Sequence, residues 1–195
     1  MIQKPKELEK IKKPQELLEF MSDNLSYGFI KRSDGKILKN RGDKEWQDSW
    51  LNEYFLQKPE ELLKNKFGVC WDYIELERSW FESLGYEVKT FYMAVIRDEG
   101  SKLPTHTFLA YYDNNKWYWF EYSWYNERGI REYESLEKLI RDANEKHTKS
   151  LLKEGASPED VKNHKVYEYK NAPFGASPID FVKHVIKKDN QQIIK

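Results

Sequence analysis

The sequence predicts an α+β protein: helices first, then a helix that opens at a lone cysteine, then an antiparallel sheet, with a mostly helical extension behind. Three observations carry this. Apolar residues recur at helical spacing through most of the first 84 residues,. Two runs rich in aromatic and β-branched residues then flank the turn Asp113-Asn114-Asn115,. After Trp124 the chain becomes more polar and regains helical patterning,. A chain of 195 residues fits one domain over 1–195, with a core of about 15–130 and an extension of about 131–195.

Composition supports a folded core and narrows the partners. Mean hydropathy is −0.90, low enough for disorder, yet the chain holds 7 Trp, 13 Tyr and 10 Phe, which disordered chains lack. Lys+Arg 33 balances Asp+Glu 33, so neither nucleic acid nor an acidic membrane surface is an expected partner. No apolar run is long enough to span a bilayer, and MIQKPKELEK has no secretory-signal character. A single cysteine, Cys70, forms no internal disulfide and fits a cytoplasmic location.

The elements follow in order. Leu8, Ile11, Leu17, Leu18 and Met21 predict helix over Lys4–Asn24, broken at Pro14, which becomes the first residue of the second piece,. A short strand is expected over Tyr27–Lys31, then a turn at Ser33–Lys36. Asp43 is the expected cap of a helix over Lys44–Leu56, whose Trp46, Trp50 and Tyr54 share one face and read as core,. Pro59 opens a further short helix with Glu60 and Glu61 in its first turn. Cys70 begins the next, with Tyr73, Ile74, Leu76, Trp80, Phe81 and Leu84 as its apolar set and Gly85 after its end,. Strands are expected at Glu87–Ile96, His106–Tyr112 and Lys116–Trp124, with a loop at Arg97–Pro104. Helices then start at Ser135, Ser157 and Ser177, with a strand at Val166–Tyr169 between the last two,.

Cys70 is a small buried apolar residue on the commoner reading of a lone cysteine. Its place at a helix start argues for chemistry, because unpaired backbone N–H groups and the helix dipole favour a thiolate there. Gly68 gives the backbone freedom to turn and room for a substrate to approach. His106 is the natural group to take the thiol proton. Across the hairpin, a two-residue Asp113-Asn114 loop sets His106 opposite Glu121, whereas a longer loop sets it opposite Ser123 and leaves Glu121 diagonal. Both registers keep His106 and Glu121 on one sheet face. The carboxylate can there fix the imidazole tautomer. His147, His164 and His184 are scattered over polar stretches, and no zinc spacing, glycine-rich phosphate loop or EF-hand loop occurs,. No cofactor or metal is expected.

Three blocks resemble the transglutaminase-like group of the papain-type cysteine hydrolase fold. They are Leu17–Gly28, Gly68–Tyr73 with the following Leu84-Gly85-Tyr86-Glu87-Val88, and His106-Thr107-Phe108 through Trp117–Glu121. Together they cover about Leu17 to Trp124. The resemblance implies a papain-like core with Cys70 as nucleophile, His106 as general base and acid, and Glu121 as orienting carboxylate. It implies an oxyanion site made by the Cys70 N–H and an upstream side chain, for which Tyr27 is the candidate. Trp71, beside the thiol, is a candidate either to roof the cleft or merely to pack. Two departures stand out: Glu121 replaces the usual Asp, moving the carboxylate out by about one carbon–carbon bond, and Tyr122 replaces the usual proline.

The expected function is that of a thiol enzyme acting on an amide or peptide bond through an acyl-thioester, with a peptide or amide-bearing substrate. Small size and the lack of a calcium loop favour a peptidase or amidase over a cross-linking acyltransferase. The alternative, from a different class, is a non-catalytic interaction module that keeps the fold.

Overall fold

Pro14 decides where the first helix begins. In the computed structural model, which describes residues 5–95, 103–187 and 192–194, α1 spans Pro14–Asn24 with the proline in its first position, where its missing N–H is not needed,. Glu16 accepts from the backbone N–H groups of Lys12 and Lys13 at 2.9 and 3.2 Å. Upstream there is one 3₁₀ turn at Lys6–Leu8 rather than a helix, because Lys13, preceding the proline, is extended,.

The strand expected over Tyr27–Lys31 is two strands. β1 (Ser26–Tyr27) and β2 (Phe29–Ile30) are separated by Gly28, whose φ is +154°. A Cβ on Gly28 would lie 2.6 Å from the Leu38 carbonyl oxygen, so only glycine lets β3 (Ile37–Leu38) pair antiparallel with β2,. The next helix, α2 (Lys44–Glu53), ends earlier than its pattern predicts. Tyr54 turns extended and drives its ring into the core. Asp43 makes no capping bond and instead accepts from Asn40 Nδ2 at 2.9 Å. Then α3 (Pro59–Asn65) leads through left-handed Lys66 into β4 (Phe67–Gly68), which pairs parallel with β1.

Helix α4 (Cys70–Ser83) is the centre of the molecule. It is followed by β5 (Glu87–Val95), β6 (His106–Asp113), β7 (Lys116–Glu121) and β8 (Gly129–Tyr133). The remaining elements are α5 (Leu136–Lys153), α6 (Pro158–Lys162), β9 (His164–Tyr169), α7 (Pro178–Val185) and β10 (Gln192–Ile194). Six strands form one sheet in the order β10-β9-β5-β6-β7-β8, antiparallel at every pairing. The fold is therefore α+β. The loop expected at Arg97–Pro104 lies outside the described residues except for Leu103 and Pro104.

The sheet is buried on both faces, and its period-two alternation shows it. Tyr92, Ala94, Leu109, Tyr111 and Phe120 face the α4 side, whereas Phe91, Met93, Phe108, Ala110 and Trp119 face α5 through Leu139, Ile140 and Ala143. Residues after 131 carry more helix than strand, as the sequence predicts, but they are part of this sheet: β9 lies between β10 and β5. Helix α7 also returns to the start of α4, where the Phe181 ring stacks on Trp71 at 4.0 Å and meets Tyr92 and Tyr169 edge-on. Phe181→Ala is expected to cost about 3–5 kcal/mol, as truncation of a buried aromatic does, measured by urea unfolding. A loss under about 1 kcal/mol would show that α7 is peripheral.

Candidate active site

Asp72 sets the start of α4. Its Oδ2 accepts the N–H of extended Val69 at 2.8 Å, and its Oδ1 accepts from the Tyr54 hydroxyl at 3.0 Å and the Gln57 N–H at 2.9 Å. Burial raises this carboxyl to about 7, while the same three donors pull it down. Gly68 is required for space: a Cβ there would come within 2.6 Å of Leu62 Cδ1 and 3.0 Å of Asp72 Cβ. That room is filled by the protein's own side chains, so Gly68 is not the opening for substrate that the sequence suggests. Cys70 then stands at the first helical position, where its N–H is not used by the helix,.

His106 and Glu121 arrive from the sheet. The hairpin turn is Asn114-Asn115, both at positive φ (48° and 61°), and Asp113 pairs with Lys116, the geometry of a two-residue turn. Carried three pairs beyond Leu109↔Phe120, this register sets His106 opposite Ser123 and leaves Glu121 diagonal, on the same face. The strand ends at Glu121, before the expected Trp124, because the carboxylate folds back on the chain. Its Oε1 accepts the Trp124 N–H at 2.8 Å and the Ser123 hydroxyl at 3.2 Å. That curl takes up the extra methylene of Glu relative to Asp, and Oε2 lies 2.8 Å from His106 Nε2.

The electrostatics fix the proton positions. Burial opposes charge on Glu121, yet the His106 charge and hydrogen bond, with the Trp124 and Ser123 donors, hold it below the ordinary carboxyl value. An ionised carboxylate only accepts, so Nε2–H of His106 is the donor. Nδ1 is then the nitrogen left to face Cys70, whose sulfur helps to raise the His106 imidazole. Burial disfavours the imidazolium, but Glu121 and the Cys70 sulfur outweigh it and lift His106 to about 10. Burial likewise raises the Cys70 thiol. The neighbouring His106 imidazolium reverses this and brings it below its ordinary value,. Cys70 is 7% and His106 8% exposed, so the pair is largely desolvated without being sealed.

The other predicted residues separate. Tyr27 comes to the site: β1–β4 pairing sets it beside Gly68, its ring stacks on Trp46 at 6.0 Å, and burial and the Cys70 charge both raise its phenol. Trp71 does not roof a cleft. It is 3% exposed and packs among Trp50, Tyr54, Tyr92 and Phe181, because one step along a helix from Cys70 turns a side chain by roughly 100° toward the interior. Trp46, Trp50 and Tyr54 form a stacked core ladder.

Two histidines that the sequence leaves scattered meet beside His106. His147 Nδ1 lies 2.6 Å from His164 Nε2, and His164 Nδ1 lies 2.7 Å from Asn144 Oδ1. Burial keeps both neutral, with His164 near 4 and His147 depressed further by the His106 charge. The His147 ring centre is 6.2 Å from that of His106, and Trp124 closes the same wall at 5.2 Å. The available signal was the apolar stripe of α5: Ile140, Ala143, His147 and Leu151 follow one another at steps of three or four and are buried,. Among the described residues, no group of three or more His, Cys, Asp or Glu side chains is arranged to hold a metal ion. No described helix is long and apolar enough to cross a membrane.

A helix-start thiol, a strand-start imidazole and a hairpin carboxylate follow one another here in the chain order of the group the sequence resembles. The family described as Transglutaminase-like domain matches residues 2–142, more than two thirds of the chain, and the chain belongs to that family. The match stops before His147. No curated protein and no solved structure matched the chain.

The His106–Glu121 pair makes stability depend on pH. A histidine raised in the folded state stabilises fully below its ordinary 6.5, and this is lost as pH rises toward the folded value of about 10,. Glu121, depressed on folding, stabilises above its ordinary 4.5, and this is lost on acidification through its folded value,. In Cys70→Ala no thiol titrates and Glu121 is the imidazolium's remaining support, so the unfolding free energy is expected to decline above pH 6.5, over a narrower range than in the presence of the sulfur,. Adding His106→Gln should remove that slope; denaturant titrations at several pH values check it.

Proposed function

We propose that this chain is a thiol enzyme that opens an amide or peptide bond through an acyl-thioester. The observation that supports the reading best is that one imidazole bonds a carboxylate through Nε2 at 2.8 Å and is raised by its interaction with the sequence's single cysteine. A thiol lowered by a neighbouring imidazolium is the activated nucleophile this chemistry needs.

The steps balance as follows. The Cys70 thiol proton rests on His106 Nδ1, leaving a thiolate. Sγ attacks the carbonyl carbon, and the oxygen takes the negative charge near the Cys70 N–H and the Tyr27 hydroxyl, which serve as its donors. As the C–N bond breaks, the imidazolium passes its Nδ1 proton to the departing nitrogen, and an amine leaves. Water then gives a proton to the neutral imidazole and adds to the thioester. Collapse releases a carboxylic acid and restores the thiol and imidazole. Glu121 stays ionised and holds the ring. Hydrolysis by a peptidase or amidase is the favoured outcome, and the same thioester passes to a second amine in an acyltransferase.

Iodoacetamide alkylation tests the nucleophile without knowledge of the substrate, and the single cysteine makes the readout unambiguous. The rate should stay high well below the ordinary thiol range and fall steeply there in His106→Ala. A rate that rises only in the ordinary thiol range, unaffected by His106→Ala, favours the interaction-module alternative. On an amide substrate, Glu121→Gln is expected to lower kcat by about ten- to a hundredfold with little change in KM, because it acts through imidazole orientation. An unchanged kcat removes Glu121 from the mechanism.

A further inference from the structure

The loop after β3 carries a cation to the site. The Leu38 carbonyl packs on Gly28, so the chain leaving β3 passes beside the residue that follows Tyr27. It then closes a tight turn in which Gly42 N–H donates to Asn40 Oδ1 at 3.0 Å, Asp43 N–H to Asn40 O at 3.1 Å, and Asn40 Nδ2 to Asp43 Oδ1 at 2.9 Å. Arg41 stands at the tip of this turn and is exposed. Its guanidinium acts by charge on the Tyr27 phenol, on the thiol side of the site. Its charge also acts on His147, on the imidazole side.

This arginine is left without an ion-pair partner among the described residues. Three cations of the same region are engaged elsewhere: Lys31 pairs with Asp34 and Glu45, Lys36 pairs with Glu45, and Lys39 lies over the Phe67 ring. Asp72 and Glu121 spend their oxygens on the donors described above. The five guanidinium donors of Arg41 form a planar fork that matches a carboxylate.

We propose that Arg41 is a substrate-binding residue and that the amide substrate carries a carboxylate close to the bond that is opened. The carboxylate docks on the exposed guanidinium, and the carbonyl beside it reaches Cys70. This rests on the thiol-enzyme reading and narrows its substrate class to acidic amides or peptides.

Paired alkylating agents test it, because iodoacetate and iodoacetamide differ by the carboxylate alone. For wild type and Arg41→Gln, the rate of Cys70 modification by each is measured at low ionic strength, and the iodoacetate-to-iodoacetamide ratio is compared. The ratio should fall about fivefold in Arg41→Gln, the scale of one exposed charge pair. Arg41→Lys should recover part of it, and added salt should shrink the wild-type ratio. An unchanged ratio in Arg41→Gln overturns the proposal while leaving the thiol-enzyme reading intact. If both rates drop together, Arg41 acts on the thiol through Tyr27, and the anchoring role is overturned. Slow reaction of wild type with both agents overturns the thiol-enzyme reading and the anchor with it.

Discussion

The arrangement depends on one buried contact, His106 held between Glu121 and the Cys70 sulfur. Burial alone would leave each of the three groups neutral. Together they reverse that cost, since the carboxylate and the sulfur both favour a charged ring and the ring favours both anions. The contact joins a helix start to a hairpin, elements that pack on each other only if the surrounding core brings them into register.

That core positions the sulfur from below and the imidazole from behind. Asp72 gathers donors from Tyr54, Gln57 and Val69, tying the first turn of α4 to the segment after α2, while β1–β4 pairing brings Tyr27 alongside. On the opposite sheet face, α5 and β9 supply His147 and His164, and with Trp124 they wall the outer side of His106. The C-terminal residues thus bear on the site, although the family match ends at residue 142.

Much of this was legible in the sequence because its signals are local. Pro14, Pro59 and Gly85 mark helix boundaries, and the Cys70 helix, the two hairpin strands and the Ser135 and Ser177 starts follow from periodicity and capping. Parity alone puts His106 and Glu121 on one face. What was not legible depends on distant partners. The two-residue strands around Gly28 exist because Leu38 and Gly68 lie alongside, and no two-residue pattern announces that. Trp71 reads equally as roof or core until Phe181, 110 residues later, is seen stacked on it. The His147–His164 pair joins a helix to a strand 17 residues on; the α5 stripe marks His147 as buried, but nothing local names His164 as its partner. Arg41 carries no local motif; only the turn and its charge on Tyr27 give it meaning.

The central claim is that His106 and Glu121 ionise the sulfur, and the thiolate absorbance reports this directly, since Cys70 is the one cysteine. Titrating the difference between wild type and Cys70→Ala should give a thiolate that forms below pH 9.0, the ordinary value for the group. In His106→Ala the transition should move up past that value, as burial then loses its main counterweight. A wild-type transition at or above it, unmoved by His106→Ala, would contradict the account.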